Sequence, residues 1–270
     1  ESWLAKGEAH EALGQKADAL SAFEDVLRLD AKNGSAWTRK ASLLLASEDY
    51  VEAVHAFEAA LETSPADAAL WYSKARAQFK LEAFADAADS LDRATRFAPD
   101  DTKAWLLLGL SLQGAKRHEQ AVSAFDRALA LDAKQPRACH GKGVSLQALK
   151  RYEEAATAYG QAATLDPTFT RSTLSQGTCL LALHRYEEAL AAFRHVLAAD
   201  PKDHAAALGS CDALEALGKT KEALDACVRL TALDTKDVEA WVRRSRLAHV
   251  AASEKEALAS INRAIGLAPD

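Results

Sequence analysis

Methionine is absent from the sequence, and only four cysteines and six prolines occur in 270 residues. No apolar run approaches the roughly 20 residues needed to span a bilayer, and no charged, apolar, small-residue leader opens the chain. A soluble, cytoplasmic protein without membrane insertion is therefore expected. Lys and Arg number 33 against 39 Asp and Glu, giving a net charge of -6. That balance excludes a general nucleic-acid surface, which needs a basic footprint, and leaves room for local basic patches. Cys139, Cys179, Cys211 and Cys227 form no CxxC and have no zinc spacing with histidine, so no metal or other cofactor is implied. Buried thiols in a reducing compartment are expected instead. Cys211 and Cys227 can lie near each other across a helix pair, as two small packing residues. The chain begins with Glu1 inside a helical pattern, which reads as a segment of a longer polypeptide.

What the sequence has is a period. Strand-favouring residues are sparse, and Ala and Leu alternate with charged residues, so the chain reads as all-helical. Trp3, Trp37, Trp71 and Trp105 stand 34 residues apart, and Trp241 falls on the same phase. On a second phase, Ala19, Ala53, Ala87, Ala121, Ala155, Ala189, Ala223 and Ala257 recur without exception. A third carries Phe23, Phe57, Leu91, Phe125, Tyr159, Phe193 and Ile261, broken only by Cys227. A fourth is small: Gly7, Ala41, Ala75, Gly109, Gly143, Gly177, Cys211 and Ser245. A small residue on a first helix admits the alanine-bearing second helix, with the aromatic filling the space beside them. Pro65, Pro99, Pro167, Pro201 and Pro269 end the second helices. Asn33, Asp67, Asp101, Asp203 and Asp237 are placed to cap the next first helices. Gln135 and Phe169 break this cap series, and Pro136 suits a first helical position.

Tryptophan, small residue, alanine, aromatic and proline in a 34-residue frame resemble the tetratricopeptide repeat, a helix-turn-helix unit. The frame covers the whole chain as eight repeats, approximately 1-33, 34-67, 68-101, 102-135, 136-169, 170-203, 204-237 and 238-270. The resemblance implies a single all-α domain over 1-270, a right-handed superhelical solenoid in which neighbours stack to bury a continuous core. Pentatricopeptide repeats, which read RNA, use a slightly longer unit, and the strict interval and the acidic charge argue against them.

The frame also disposes of a phosphate-loop match in "ALEALGKT", Ala213 to Thr220, which has no strand before it. "EALGKTKEAL" aligns with "EALGQKADAL" and "LALHRYEEAL", so it is the turn within a repeat. Gly218 is expected to be left-handed at a helix C-terminus, with Thr220 opening the next helix.

In the family that the chain resembles, first helices line a concave groove through their second, fifth, sixth, ninth, twelfth and thirteenth positions. Carried onto repeats two to six, these positions hold the cations Arg39, Arg76, Lys80, Lys103, Arg137 and Arg171, with His140 and no Asp or Glu. They also hold Tyr72, Phe79, Leu106, Leu110, Val144 and Leu174, together with Leu45, Leu107 and Leu181, and Gln113 and Gln147 as hydrogen-bonding groups. The end repeats place Glu1, Glu8, Glu11, Asp212, Glu215 and Glu239 there, the last beside Arg243, Arg246 and His249. An apolar strip edged by cations implies a non-catalytic scaffold that binds a protein or peptide segment with apolar anchors and acidic residues. The opposing reading is that Phe79, Leu106 and Leu110 pack between neighbouring helices and the cations only solubilise. The groove asparagines of the chaperone-tail clamp and of the glycosyl-transferase ladder are missing. No GxSxG, HExxH or repeated carboxylate pair supports catalysis. Two alternatives stand beside the scaffold: the targeting or regulatory region of a larger enzyme, and end-to-end self-association through uncapped terminal repeats.

Overall fold

The computed structural model describes residues 2-268 and, among them, is all-α. Glu1 and Pro269, which the repeat frame singles out, lie outside the described residues. The helices fall into two compact units, Glu1–Ala133 and Lys134–Asp270. The first holds α1 (Ser2–Ala12), α2 (Lys16–Leu29), α3 (Gly34–Ala46), α4 (Tyr50–Thr63), α5 (Ala68–Lys80), α6 (Phe84–Phe97), α7 (Thr102–Gly114) and α8 (His118–Leu131). The second holds α9 (Pro136–Ala148), α10 (Tyr152–Leu165), α11 (Thr170–Ala182), α12 (Tyr186–Ala199), α13 (His204–Ala216), α14 (Thr220–Leu233), α15 (Val238–Val250) and α16 (Glu254–Leu267). Within each unit every helix packs on the next, so each repeat is an antiparallel pair stacked on its neighbour.

The punctuation behaves as the residues dictate. Asn33, Asp67, Asp101, Asp203 and Asp237 each accept a backbone N–H in the first turn of the following helix, satisfying donors that have no intrahelical partner. Gln135 and Phe169 make no such bond, and Pro136 opens α9. Each repeat turns on one left-handed residue. Gly14 and Gly218 supply it at φ 73° and 68°, and Glu48, Glu82, Lys116, Lys150, His184 and Ala252 adopt it without being glycine.

The small and large phases are two halves of one contact. A Cβ on Gly7, Gly109, Gly143 or Gly177 would lie 2.5 to 2.7 Å from the ring of Phe23, Phe125, Tyr159 or Phe193 in the same repeat. The ring therefore sits directly over the first helix's backbone, where the sequence alone suggested it lay beside it. Phe193 is held between two such positions, because a Cβ on Gly209 of the next repeat would also collide with its ring. The tryptophans tie each repeat to the one before: Nε1 of Trp37, Trp71, Trp105 and Trp241 donates to the carbonyl of Ala31, Pro65, Pro99 and Thr235, respectively. In repeat seven the small and large positions are both cysteine, Cys211 and Cys227, each fully buried and not joined in a disulfide.

Candidate functional site

Groove positions of adjacent repeats do meet, and ion pairs reveal it. Arg39 on α3 reaches Glu8 at 3.2 Å and Glu11 at 3.3 Å on α1. Near the other terminus Arg243 on α15 pairs with Asp212 and, at 3.7 Å, with Glu215 on α13, while Arg246 also holds Glu215. In both places the sixth position of one repeat takes the ninth and twelfth positions of the repeat before. Arg39, grouped by sequence with the available cations, is thus balanced by carboxylates of its own chain. Leu45 and Leu181 are half-buried and pack against core clusters.

The remaining candidates of the first unit lie on α5 and α7. Tyr72 and Phe79 are half-buried, and Arg76 lies over the Tyr72 ring at 6.0 Å. Phe79 meets Phe84 edge-on at 5.3 Å, and Phe84 occupies the space left by the absent side chain of Gly114. Burial raises the Tyr72 phenol above its ordinary pKa, Arg76 opposes that shift and Asp101 adds to it, so the hydroxyl is a neutral donor. Leu106, Leu110 and Gln113 on α7 are half-buried, and Lys80 and Lys103 are exposed. Among the described residues no carboxylate lies within ion-pairing distance of Arg76, Lys80 or Lys103.

In the second unit the structure gathers four sequence candidates into one hollow of about 510 Å³: His140, Val144 and Gln147 of α9, with Arg171 of α11. Tyr159 of α10 completes it, donating from its hydroxyl to Gln147 Oε1 at 2.8 Å. His140 Nδ1 lies 2.9 Å from Ser172 Oγ, and its ring is 4.8 Å from that of Phe169 and 5.3 Å from that of Tyr159. Burial, with Arg171 adding to it, pulls the His140 pKa down to about 4, so the ring is neutral near pH 7. Arg137 is exposed and Leu174 half-buried, both outside the hollow's lining. Neither Arg137 nor Arg171 has a carboxylate partner among the described residues. Tyr159 and Phe169 are what sequence reasoning missed here. Both signals were present as departures: a tyrosine in a phenylalanine phase, and an aromatic where a cap belongs.

A second hollow of the same unit, about 340 Å³, lies among α12, α13 and α14 and contains none of the candidates. An Arg194–Glu222 ion pair of 2.8 Å joins two residues of its wall.

No curated protein sequence matches the chain. Several solved structures share its fold. The C-terminal part of a TPR repeat-containing protein from Cytophaga hutchinsonii superposes with a TM-score of 0.73 at 17% identity, over 86% of this chain and 95% of that one. YrrB, described as a TPR protein with an unusual peptide-binding site, gives 0.61 at 22% identity, over 68% of this chain and 94% of its own. MamA from Desulfovibrio magneticus RS-1 gives 0.56 at 19% identity, over 62% and 94%. Sequence profiles of the tetratricopeptide repeat match residues 44–110 and 180–245, 4–68, 136–169 and 102–135. With the profiles running over most of the chain and a helical hairpin at each period, the chain belongs to the tetratricopeptide repeat family.

Proposed function

We propose that this protein is a non-catalytic interaction scaffold whose first helices capture segments of other proteins bearing apolar anchors and acidic residues. Each unit offers its own surface: Tyr72, Phe79, Leu106 and Leu110 with Arg76, Lys80 and Lys103 in the first, and the His140–Tyr159 hollow with Arg137 and Arg171 in the second. The observation that carries the reading is the contrast in charge balance. At other groove positions Arg39, Arg243 and Arg246 are paired with carboxylates of the chain itself. The five groove cations of repeats three to six, Arg76, Lys80, Lys103, Arg137 and Arg171, have no carboxylate partner among the described residues of a molecule with net charge -6. Unpaired cations beside half-buried aromatic and aliphatic side chains favour an anionic, amphipathic visitor. The apolar groups supply affinity and the cations supply orientation and on-rate. The peptide-binding site named for YrrB, a protein of the same fold, supports the same use of it.

The test is a peptide array varying acidic and apolar residues, probed with the wild-type chain and with Arg76→Glu/Lys103→Glu and Arg137→Glu/Arg171→Glu double variants. Capture of acidic amphipathic peptides, lost on reversal and transferred to basic peptides, is expected. Equal capture by all three proteins overturns the reading.

A further inference from the structure

We propose that Cys211, Glu215 and Cys227 form a binding site for one thiophilic divalent cation of the zinc type, built into the helix pair of repeat seven. The repeat frame forces the two thiols together. Their positions are those where other repeats seat an aromatic ring on a small residue of the first helix, as Tyr159 sits on Gly143 and Phe193 on Gly177. Repeat seven divides that contact between two short side chains, Cys211 on α13 and Cys227 on α14, both without solvent exposure. Glu215 is one turn beyond Cys211 on the same face, so its carboxylate returns over the thiol. The three ligand atoms all lie within 4.8 Å of one another.

The distances suit a tetrahedral ion. With Zn–S of about 2.3 Å and Zn–O of about 2.1 Å, a tetrahedron places sulfur and oxygen about 3.6 Å apart and two sulfurs about 3.8 Å apart. Cys211 Sγ is 3.6 Å from Glu215 Oε1. Outer partners are already in place. Arg246 bonds the other carboxylate oxygen, Oε2, which fixes the orientation of Oε1 toward the thiol. Two thiolates and a carboxylate around a divalent ion leave one excess negative charge, and Arg243, 3.7 Å from Glu215 Oε1, faces it. The Glu215 side chain keeps 22% exposure and supplies the route of entry. As each metal–sulfur bond forms, its thiol proton passes to solvent. No electron changes hands, and one coordination position remains for a solvent or partner-derived ligand. The spacing rules for cysteine miss such a site because its ligands come from two helices, with 15 residues between the cysteines.

The experiment titrates Co2+ into the full chain, reduced with a phosphine under argon, and then displaces it with Zn2+. One Co2+ per chain is expected, with a thiolate-to-cobalt charge-transfer band and intense tetrahedral d–d bands that Zn2+ abolishes. Cys211→Ser and Cys227→Ser lose the bands, whereas Cys139→Ser and Cys179→Ser, whose thiols lie outside the cluster, keep them. Circular dichroism confirms folding of each variant. Glu215→Gln, a change at a partly exposed side chain, gives a variant that spares the buried thiols and is expected to weaken binding. Arg246→Ala is expected to weaken binding roughly 10-fold through the outer partner alone. A reduced protein that shows no charge-transfer band overturns the proposal, as does one whose bands survive loss of either cysteine. Isolation of only a Cys211–Cys227 disulfide after oxidation, with no metal uptake when reduced, overturns it too.

Discussion

At the scale of single residues, His140 shows how a groove position acquires properties that its residue type does not announce. A histidine on a basic strip suggests a further cation, but its ring is enclosed by Phe169, Tyr159 and Ser172, and Arg171 adds its field. The folded pKa is about 4, below the ordinary imidazole value of 6.5. Between those values the unfolded chain binds more protons than the folded one, so stability rises with pH across the window. The contribution is fully present above pH 6.5 and is lost as pH falls through 4. The ring is only part-buried, so the loss is discounted for solvent screening to on the order of 1 kcal/mol. Urea denaturation at pH 7 and pH 4.5 measures it, with His140→Gln as the comparison. The variant is expected to lose stability less steeply than wild type over that interval, since it keeps a hydrogen-bonding group toward Ser172 and cannot titrate. Identical pH slopes refute the assignment.

At the scale of the helix pair, the period was legible because its residues act within one repeat or at its borders. Asp101 caps α7 from the adjacent position, and Phe125 covers Gly109 through a turn of fixed length, so one 34-residue frame exposes both. The groove was less legible because its contacts join repeats. Arg39 and Glu8 are 31 residues apart and become neighbours only when α1 and α3 lie side by side. The Tyr159 hydroxyl was hidden for another reason: its ring is core, and only its tip reaches Gln147. The turn of each pair gives the element-scale prediction. Ala252 is left-handed at φ 59° where Gly14 and Gly218 have the same role. An L-residue there costs roughly 1–2 kcal/mol of backbone strain, offset in part by the greater freedom that glycine brings to the unfolded chain. Ala252→Gly is therefore expected to stabilise by about 0.5–1 kcal/mol, and Gly218→Ala to destabilise by about the same amount. Thermal melts of the two variants read both signs. A melting point lowered by Ala252→Gly contradicts the strain argument.

At the scale of the whole molecule the governing quantity is charge distribution. A chain of net charge -6 repels an acidic ligand at long range, and attraction begins where the local field of Arg76, Lys80 and Lys103, or of Arg137 and Arg171, exceeds that background. The Debye length is about 10 Å at 0.1 M salt and about 3 Å at 1 M. Salt consequently screens both the distant repulsion and the local attraction, but the repulsion, acting over longer distances, is screened first. For the wild-type chain the association rate with an acidic amphipathic peptide is therefore expected to vary little at low salt and to fall several-fold between 0.1 and 1 M, at roughly constant dissociation rate. In Arg76→Glu/Lys103→Glu the local attraction of the first unit is replaced by repulsion. Any residual association there should accelerate with salt over the same range. Stopped-flow fluorescence with a labelled peptide distinguishes the two slopes, and a wild-type rate indifferent to salt up to 1 M shows that the unpaired cations do not steer the encounter.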